Sequence, residues 1–212
     1  VTDKPPVISD RAFKRGFDTD FQAYSLENII YANSSLFDVR FIVLPDESGD
    51  LFLDHIEVFG DIEVEDLSDF NDEGIFTAKV RFESGEDGEK TIGITAIDNA
   101  DNTGTATLMA VKDTVAPVIS NLGNDLPQNV TTSLTVPYTV IEDNPLDSQY
   151  AVTVSGETPP EWTSLAPALN TGDITVTDSM LEEDGAYTLH FKAVDKAGND
   201  TARTKTLTFD RI

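Results

Sequence analysis

At 212 residues the chain has room for one or two domains, and 39 acidic against 14 basic residues give a formal charge of −25 that repels phosphate backbones and anionic lipid surfaces. Nucleic acid is therefore not an expected partner, and the absence of cysteine removes thiol catalysis, thiolate metal sites and disulfides together. No stretch approaches the roughly 18 apolar residues of a membrane span, so no membrane insertion is expected. The chain starts at Val1 without an initiator Met or a signal-peptide core and reads as a segment of something longer.

Strict alternation dominates, the pattern of half-buried strands. The phrase Asp3-Lys4-Pro5-Pro6-Val7-Ile8-Ser9 opens the chain, and residues 10–35 form a long connection whose stretch 21–31 fits an extra strand or a short helical turn. Strands are then predicted over 37–43, 52–59, 75–82, 91–97 and 105–111. A second phrase, Asp113-Thr114-Val115-Ala116-Pro117-Val118-Ile119-Ser120, restates the first. Strands follow over 118–120, 134–141, 150–154, 173–177, 187–194 and 204–209, with Gly156, Pro159-Pro160, Gly172 and Asp184-Gly185 as turns between them. Pro137 inside a strand reads as an edge position or a bulge.

The chain says nearly the same thing twice. Asp98-Asn99-Ala100-Asp101-Asn102 follows one alternating strand, and Asp195-Lys196-Ala197-Gly198-Asn199 follows another about 97 residues later. A period of this length means tandem domains, here 1–112 and 113–212. About seven short strands in some 100 residues is the pattern of an immunoglobulin-like sandwich, so the fold class is all-β with two tandem immunoglobulin-like β-sandwich domains. Tyr187, after Leu181-Glu182-Glu183-Asp184-Gly185-Ala186, reads as a tyrosine corner, for which the first half has Lys90 instead. Trp162 lies after a strand rather than on it and reads as a cap on one end of the core, or as an exposed binding aromatic.

These phrases resemble bacterial immunoglobulin-like domains, the tandem modules of large surface adhesins and of multidomain secreted enzymes. Val111-Lys112-Asp113-Thr114-Val115-Ala116-Pro117-Val118 is similar to that family's linker. Ala193-Val194-Asp195-Lys196-Ala197-Gly198-Asn199 resembles its F-G turn, and Val140-Ile141-Glu142-Asp143-Asn144-Pro145-Leu146 its B-C loop. The resemblance covers nearly all of the second half and the ends of the first. It implies a fold far more sharply than a function, because such modules serve mainly as spacers and sometimes bind sugars or receptors.

In a sandwich of this kind the B-C and F-G loops lie where the chain enters. Asp113, Glu142, Asp143 and Asp195 are thereby expected to converge at the top of the second domain, facing loops such as 83–88 at the base of the first. Left alone such carboxylates repel, whereas a hard cation with six to eight oxygen ligands turns the repulsion into a brace. The arrangement is similar by analogy to the interdomain calcium of cadherins. By the same logic Asp3, Asp46, Asp98 and Asp101 form half a site at the top of the first domain. The competing reading is an Asx-turn, in which Asp98 and Asp195 accept backbone N–H groups two or three residues on.

Enzyme readings fare badly. His55 and His190 both fall inside predicted strands, and no metalloprotease helix motif, phosphate-cradling glycine loop or nucleophile elbow occurs. The expected function is a non-catalytic extracellular spacer or adhesion module of a bacterial surface or secreted protein, with structural Ca2+ at the junction. Its expected partners are neighbouring modules of the same chain, and a glycan or cell-surface protein. The alternative is an accessory carbohydrate-binding module using Trp162, Tyr24 and Tyr31.

Overall fold

The computed structural model describes residues 30–42, 53–68, 75–98, 103–126, 129–165 and 170–211. The chain divides into two compact units, Val1–Thr114 and Val115–Ile212. In the first, β1 is Ile30–Ala32, β2 Phe37–Ile42, β3 Leu53–Gly60, β4 Ile62–Leu67, β5 Ile75–Phe82, β6 Gly88–Asp98 and β7 Thr103–Lys112. Two sheets, ordered β2-β5-β4 and β1-β7-β6-β3, contribute alternate residues to one core. Val39, Ala78, Val80 and Phe82 come from one sheet, and Ile92, Ile94 and Ala110 from the other. Successive strand residues face opposite ways, so only every second residue needs to be apolar. That economy is what lets so acidic a chain keep a dry interior.

The second unit repeats the plan. Its strands are β8 Val118–Leu122, β9 Asn129–Val130, β10 Leu134–Ile141, β11 Pro145–Val154, β12 Thr163–Ser164, β13 Thr171–Val176, β14 Gly185–Asp195 and β15 Asp200–Phe209, with one 3-10 turn at Asp178–Met180. The sheets are β13-β10-β8 and β12-β11-β14-β15-β9. Their core holds Val136, Tyr138, Ile174 and Val176 against Leu189, Phe191, Leu207 and Phe209. The Tyr138 and Phe191 rings lie 4.7 Å apart, tilted by 38°. Burial, and then the neighbouring charge of Asp173, push the Tyr138 hydroxyl above its ordinary pKa of 10.0.

In both units a short early strand runs parallel to the last one, β1 with β7 and β9 with β15, while the other pairings among the described residues are antiparallel. In the second unit the incoming chain first pairs with β10 as β8 and then joins the opposite sheet as β9. Two facing sheets of this connectivity make each unit an immunoglobulin-like β-sandwich.

Pro137 occupies neither an edge strand nor a bulge. It lies in β10, the middle strand of its sheet, opposite Asp173, while the register shift against β8 falls between Thr139 and Val140. Pairing with β8 begins only at Tyr138, and the Pro137 carbonyl accepts the Gly123 N–H at 2.8 Å just past the end of β8. The missing donor of Pro137 thus faces a place where no ladder partner is needed. The stretch 21–31, open between strand and helical turn, ends in a strand at Ile30–Ala32, and residues before 30 lie outside those described.

The tyrosine corner is present. The Tyr187 hydroxyl donates to the Glu183 carbonyl at 2.9 Å and accepts the Glu183 N–H at 3.1 Å, closing the loop ahead of β14. Tyr187→Phe removes both bonds and leaves two main-chain groups to find water, so it is expected to lower the stability of the second unit by about 1–2 kcal/mol in urea unfolding. A variant indistinguishable from the parent would show that the corner adds nothing.

Candidate metal centre

Three loops bring carboxylates together. Asp113 follows β7, and its N–H bonds the Ala32 carbonyl at 3.0 Å. Glu142 opens the turn from β10 to β11, where one carboxylate oxygen accepts the Asn144 N–H at 2.7 Å and its carbonyl accepts Asn170 Nδ2 at 2.6 Å. Asp195 ends β14 opposite Pro145, and the Lys196 N–H bonds the Asn144 carbonyl at 2.9 Å, so the two loops of the second unit are tied side by side. One carboxylate oxygen from each of Asp113, Glu142 and Asp195 lies within 4.8 Å of the other two.

The fit to a hard cation follows from that spacing. An ion with oxygen ligands at about 2.3–2.6 Å can touch two oxygens as far as roughly 4.8 Å apart, and an all-carboxylate set suits Ca2+ over the softer transition metals. Without an ion, two unit charges 4.8 Å apart repel by about 3 kcal/mol at an effective dielectric of 20. The geometry concentrates this cost at Asp195, which is fully buried.

Asp195 has an answer of its own in Asn199. One of its carboxylate oxygens accepts the Asn199 N–H at 2.9 Å and the other accepts Asn199 Nδ2 at 2.8 Å. The Asp195 N–H in turn bonds the Asn199 carbonyl at 3.1 Å. The donor lies four residues on, where the Asx-turn reading expected two or three, because Lys196 to Gly198 make a complete turn before Asn199 returns to the sheet. Asn199 is the residue that attention to acids alone overlooked. The signal was there in the repeated D-x-A-x-N phrase, whose last letter is as constant as its first.

Asp143 stands in the same turn as Glu142 but is exposed and outside the group of three. Asp98 ends β6, and its side chain lies outside the described part of the structure. Asp3, Asp46 and Asp101 also lie outside the described residues, as does Tyr24.

Trp162 is not a cap on the core. Its ring meets His190 edge-on at 6.4 Å, and Lys192 Nζ stands 5.2 Å from its centre. His190 and Lys192 alternate along β14 with the buried core residues Leu189, Phe191 and Ala193, so they and Trp162 lie on the outer face of the sheet. His190 also shares a 3.0 Å hydrogen bond with the Thr153 hydroxyl. The alternation of β14 already assigns His190 and Lys192 to that face. The path of the chain from β11 to β12 is what delivers the tryptophan to them.

No protein-family model matches the chain, and no curated protein matches it. Solved structures do. Titin I-band fragment I67-I69 is 11% identical, with 85% of this chain and 62% of that chain covered and a TM-score of 0.43. A structure on host-cell surface retention of a 1.5-MDa bacterial ice-binding adhesin is 20% identical, with 85% and 60% covered and a TM-score of 0.38. A tetra-tandem repeat from the extending region of a large adhesion protein is 21% identical, with 66% and 36% covered and a TM-score of 0.37. The chain thus spans less than two thirds of the length of each of these three.

Proposed function

We propose that this chain is a non-catalytic spacer or adhesion segment of an extracellular bacterial protein. Calcium held by Asp113, Glu142 and Asp195 then stiffens the connection between its two domains. The convergence of three carboxylates on a 4.8 Å cluster carries the reading. Asp113 belongs to the two-residue segment that follows β7 at the end of the first unit, and the other two belong to loops of the second unit. An ion that all three hold would fasten that segment to the second unit, with Asn199 fixing the rotamer of Asp195 and Asn144 bracing Glu142. Three carboxylates fill three of the six to eight positions of a calcium ion, which leaves room for carbonyls and water. The solved adhesin structures support the extracellular setting only by likeness of fold. As a glycan binder the chain would depend on Trp162, whose ring already has His190 at its edge and Lys192 over it.

Calcium is expected to bind with the weak affinity of extracellular modules, about 0.1–1 mM, so ten times the dissociation constant adds roughly 1.4 kcal/mol. For a unit of this size that raises the melting temperature by roughly 6–10 °C. Trp162 is the chain's single tryptophan and reports on the second unit by fluorescence. Magnesium substitutes poorly, because it demands a tighter octahedral shell. Asp113→Ala and Glu142→Gln should each reduce the calcium response and, by removing one of three repelling charges, raise the melt in chelator. Identical melting in chelator and in millimolar calcium would overturn the proposal and leave the Asp195–Asn199 turn as the whole purpose of the motif.

A further inference from the structure

Both units fasten the chain where it leaves them, and they do so at matching positions. In the first, the Thr114 N–H donates to Asp87 Oδ2 at 2.8 Å, and its hydroxyl donates to the same carboxylate at 2.9 and 3.1 Å. In the second, the Arg211 N–H donates to Asp184 Oδ1 at 3.3 Å, and its guanidinium reaches the same oxygen at 3.4 Å. Each aspartate stands just before a glycine that opens the penultimate strand of its unit, Gly88 in β6 and Gly185 in β14. Those glycines pair with the last residue of the final strand in each unit, Lys112 and Phe209. The donor follows two residues later in both units.

A cation completes each fastening. Lys112, only 5% exposed, donates its ammonium to the Glu83 carbonyl at 3.2 Å and the Gly85 carbonyl at 2.7 Å. In the second unit Phe209 fills the position of Lys112, and the cation is Arg211 instead. Its guanidinium lies 4.4 Å from the Phe209 ring and donates to the carbonyls of Leu181 at 2.7 Å and Glu182 at 3.3 Å. With only 14 basic residues in the chain, one in each unit is committed to the loop beside the exit. A buried ammonium satisfied by carbonyls holds those carbonyls as firmly as they hold it, since releasing it would leave a buried charge without partners.

We infer that the Asp-Gly carboxylate and the adjacent cation form an exit clamp, which makes the outgoing chain part of its unit as far as Thr114 in the first and Arg211 in the second. The clamp fixes the direction in which the chain departs, with or without a metal, so that Asp113 is presented from a held segment. It does not depend on calcium binding, and its test is run in chelator to keep the two separate.

The test is amide exchange and 15N heteronuclear relaxation on the 212-residue protein and on Asp87→Ala, Asp87→Asn and Asp184→Ala. In the parent, the Thr114 amide exchanges at least roughly tenfold slower than in an unfolded chain, as a charge-assisted bond requires. Asp87→Ala abolishes that protection and lowers the relaxation order at Thr114, while Arg211 is unaffected. Asp184→Ala does the reverse. Asp87→Asn, of the same shape but neutral, gives an intermediate rate, and it carries the test if the alanine chain does not fold. An unprotected Thr114 amide in the parent, or a rate unchanged on replacing Asp87, overturns the clamp.

Discussion

Phe191→Ala is expected to cost the second unit about 3–5 kcal/mol, the range for truncating a fully buried aromatic side chain. Phe191 has no exposed surface, stacks on Tyr138 across the sandwich and lies in β14 between Leu189 and Ala193, both also buried. Truncation therefore opens a cavity that neither sheet can close, because each is pinned by antiparallel pairing on both sides of the gap. The loss is a large share of the roughly 5–15 kcal/mol that holds a domain together. Urea unfolding followed by Trp162 fluorescence measures it directly. A loss below about 1 kcal/mol would mean that the site is not part of a packed core.

Gly60→Ala is expected to damage the first unit by about 3 kcal/mol or more through two effects that act together. Gly60 ends β3 at φ +130°, a conformation that side-chain-bearing residues rarely adopt, and a Cβ there would stand 2.0 Å from the Thr91 carbonyl oxygen. That oxygen is not free to retreat, since it accepts the Asp61 N–H at 3.2 Å. The variant must shift the crossing from β3 to β4, and with it Ile62, the buried residue of β4. Circular dichroism should show the first unit unfolding at lower urea while the Trp162 transition keeps its midpoint. Coincident movement of both would show that the two units unfold as one.

How much of this was legible depended on how local the cause was. Residues 134–141 and 75–82 are strands at the limits their alternation gives, because each carries its pattern from end to end. The strand Ile62–Leu67 was missed. Its pairing with β5 slips between Val64 and Asp66, and Val64 and Leu67 are left exposed, so no clean inward face marks it. The two-residue strands β9 and β12 have no local cause at all. They exist because β15 and β11 offer free edges there, and an edge is a property of the assembled sheet.

The site followed the same rule. Asp113, Glu142 and Asp195 could be placed together because loop position in a sandwich follows from strand order. Whether a side chain in a loop turns inward, as Asp195 does, or outward, as Asp143 does, is decided by neighbours such as Asn199 that composition does not reveal. The exit clamp was hidden for a different reason. Its cation sits at Lys112 in one copy and Arg211 in the other, so comparing the copies letter by letter passes over it.

The parallel pairing of β1 with β7 and of β9 with β15 has a mechanical meaning. Pulling the two ends of a unit apart slides these neighbours past each other, so their hydrogen bonds are loaded together instead of peeling one after another from a free end. Resistance to such a pull is set by the height of the barrier to the first rupture, a rate rather than an equilibrium quantity. In the first unit three residue pairs, Ile30 with Ala110, Tyr31 with Val111 and Ala32 with Lys112, share the load. In the second, among the described residues, Thr208 with Asn129 and Phe209 with Val130 do so. Single-molecule pulling is therefore expected to rupture the second unit, with its shorter described parallel ladder, at a lower force than the first.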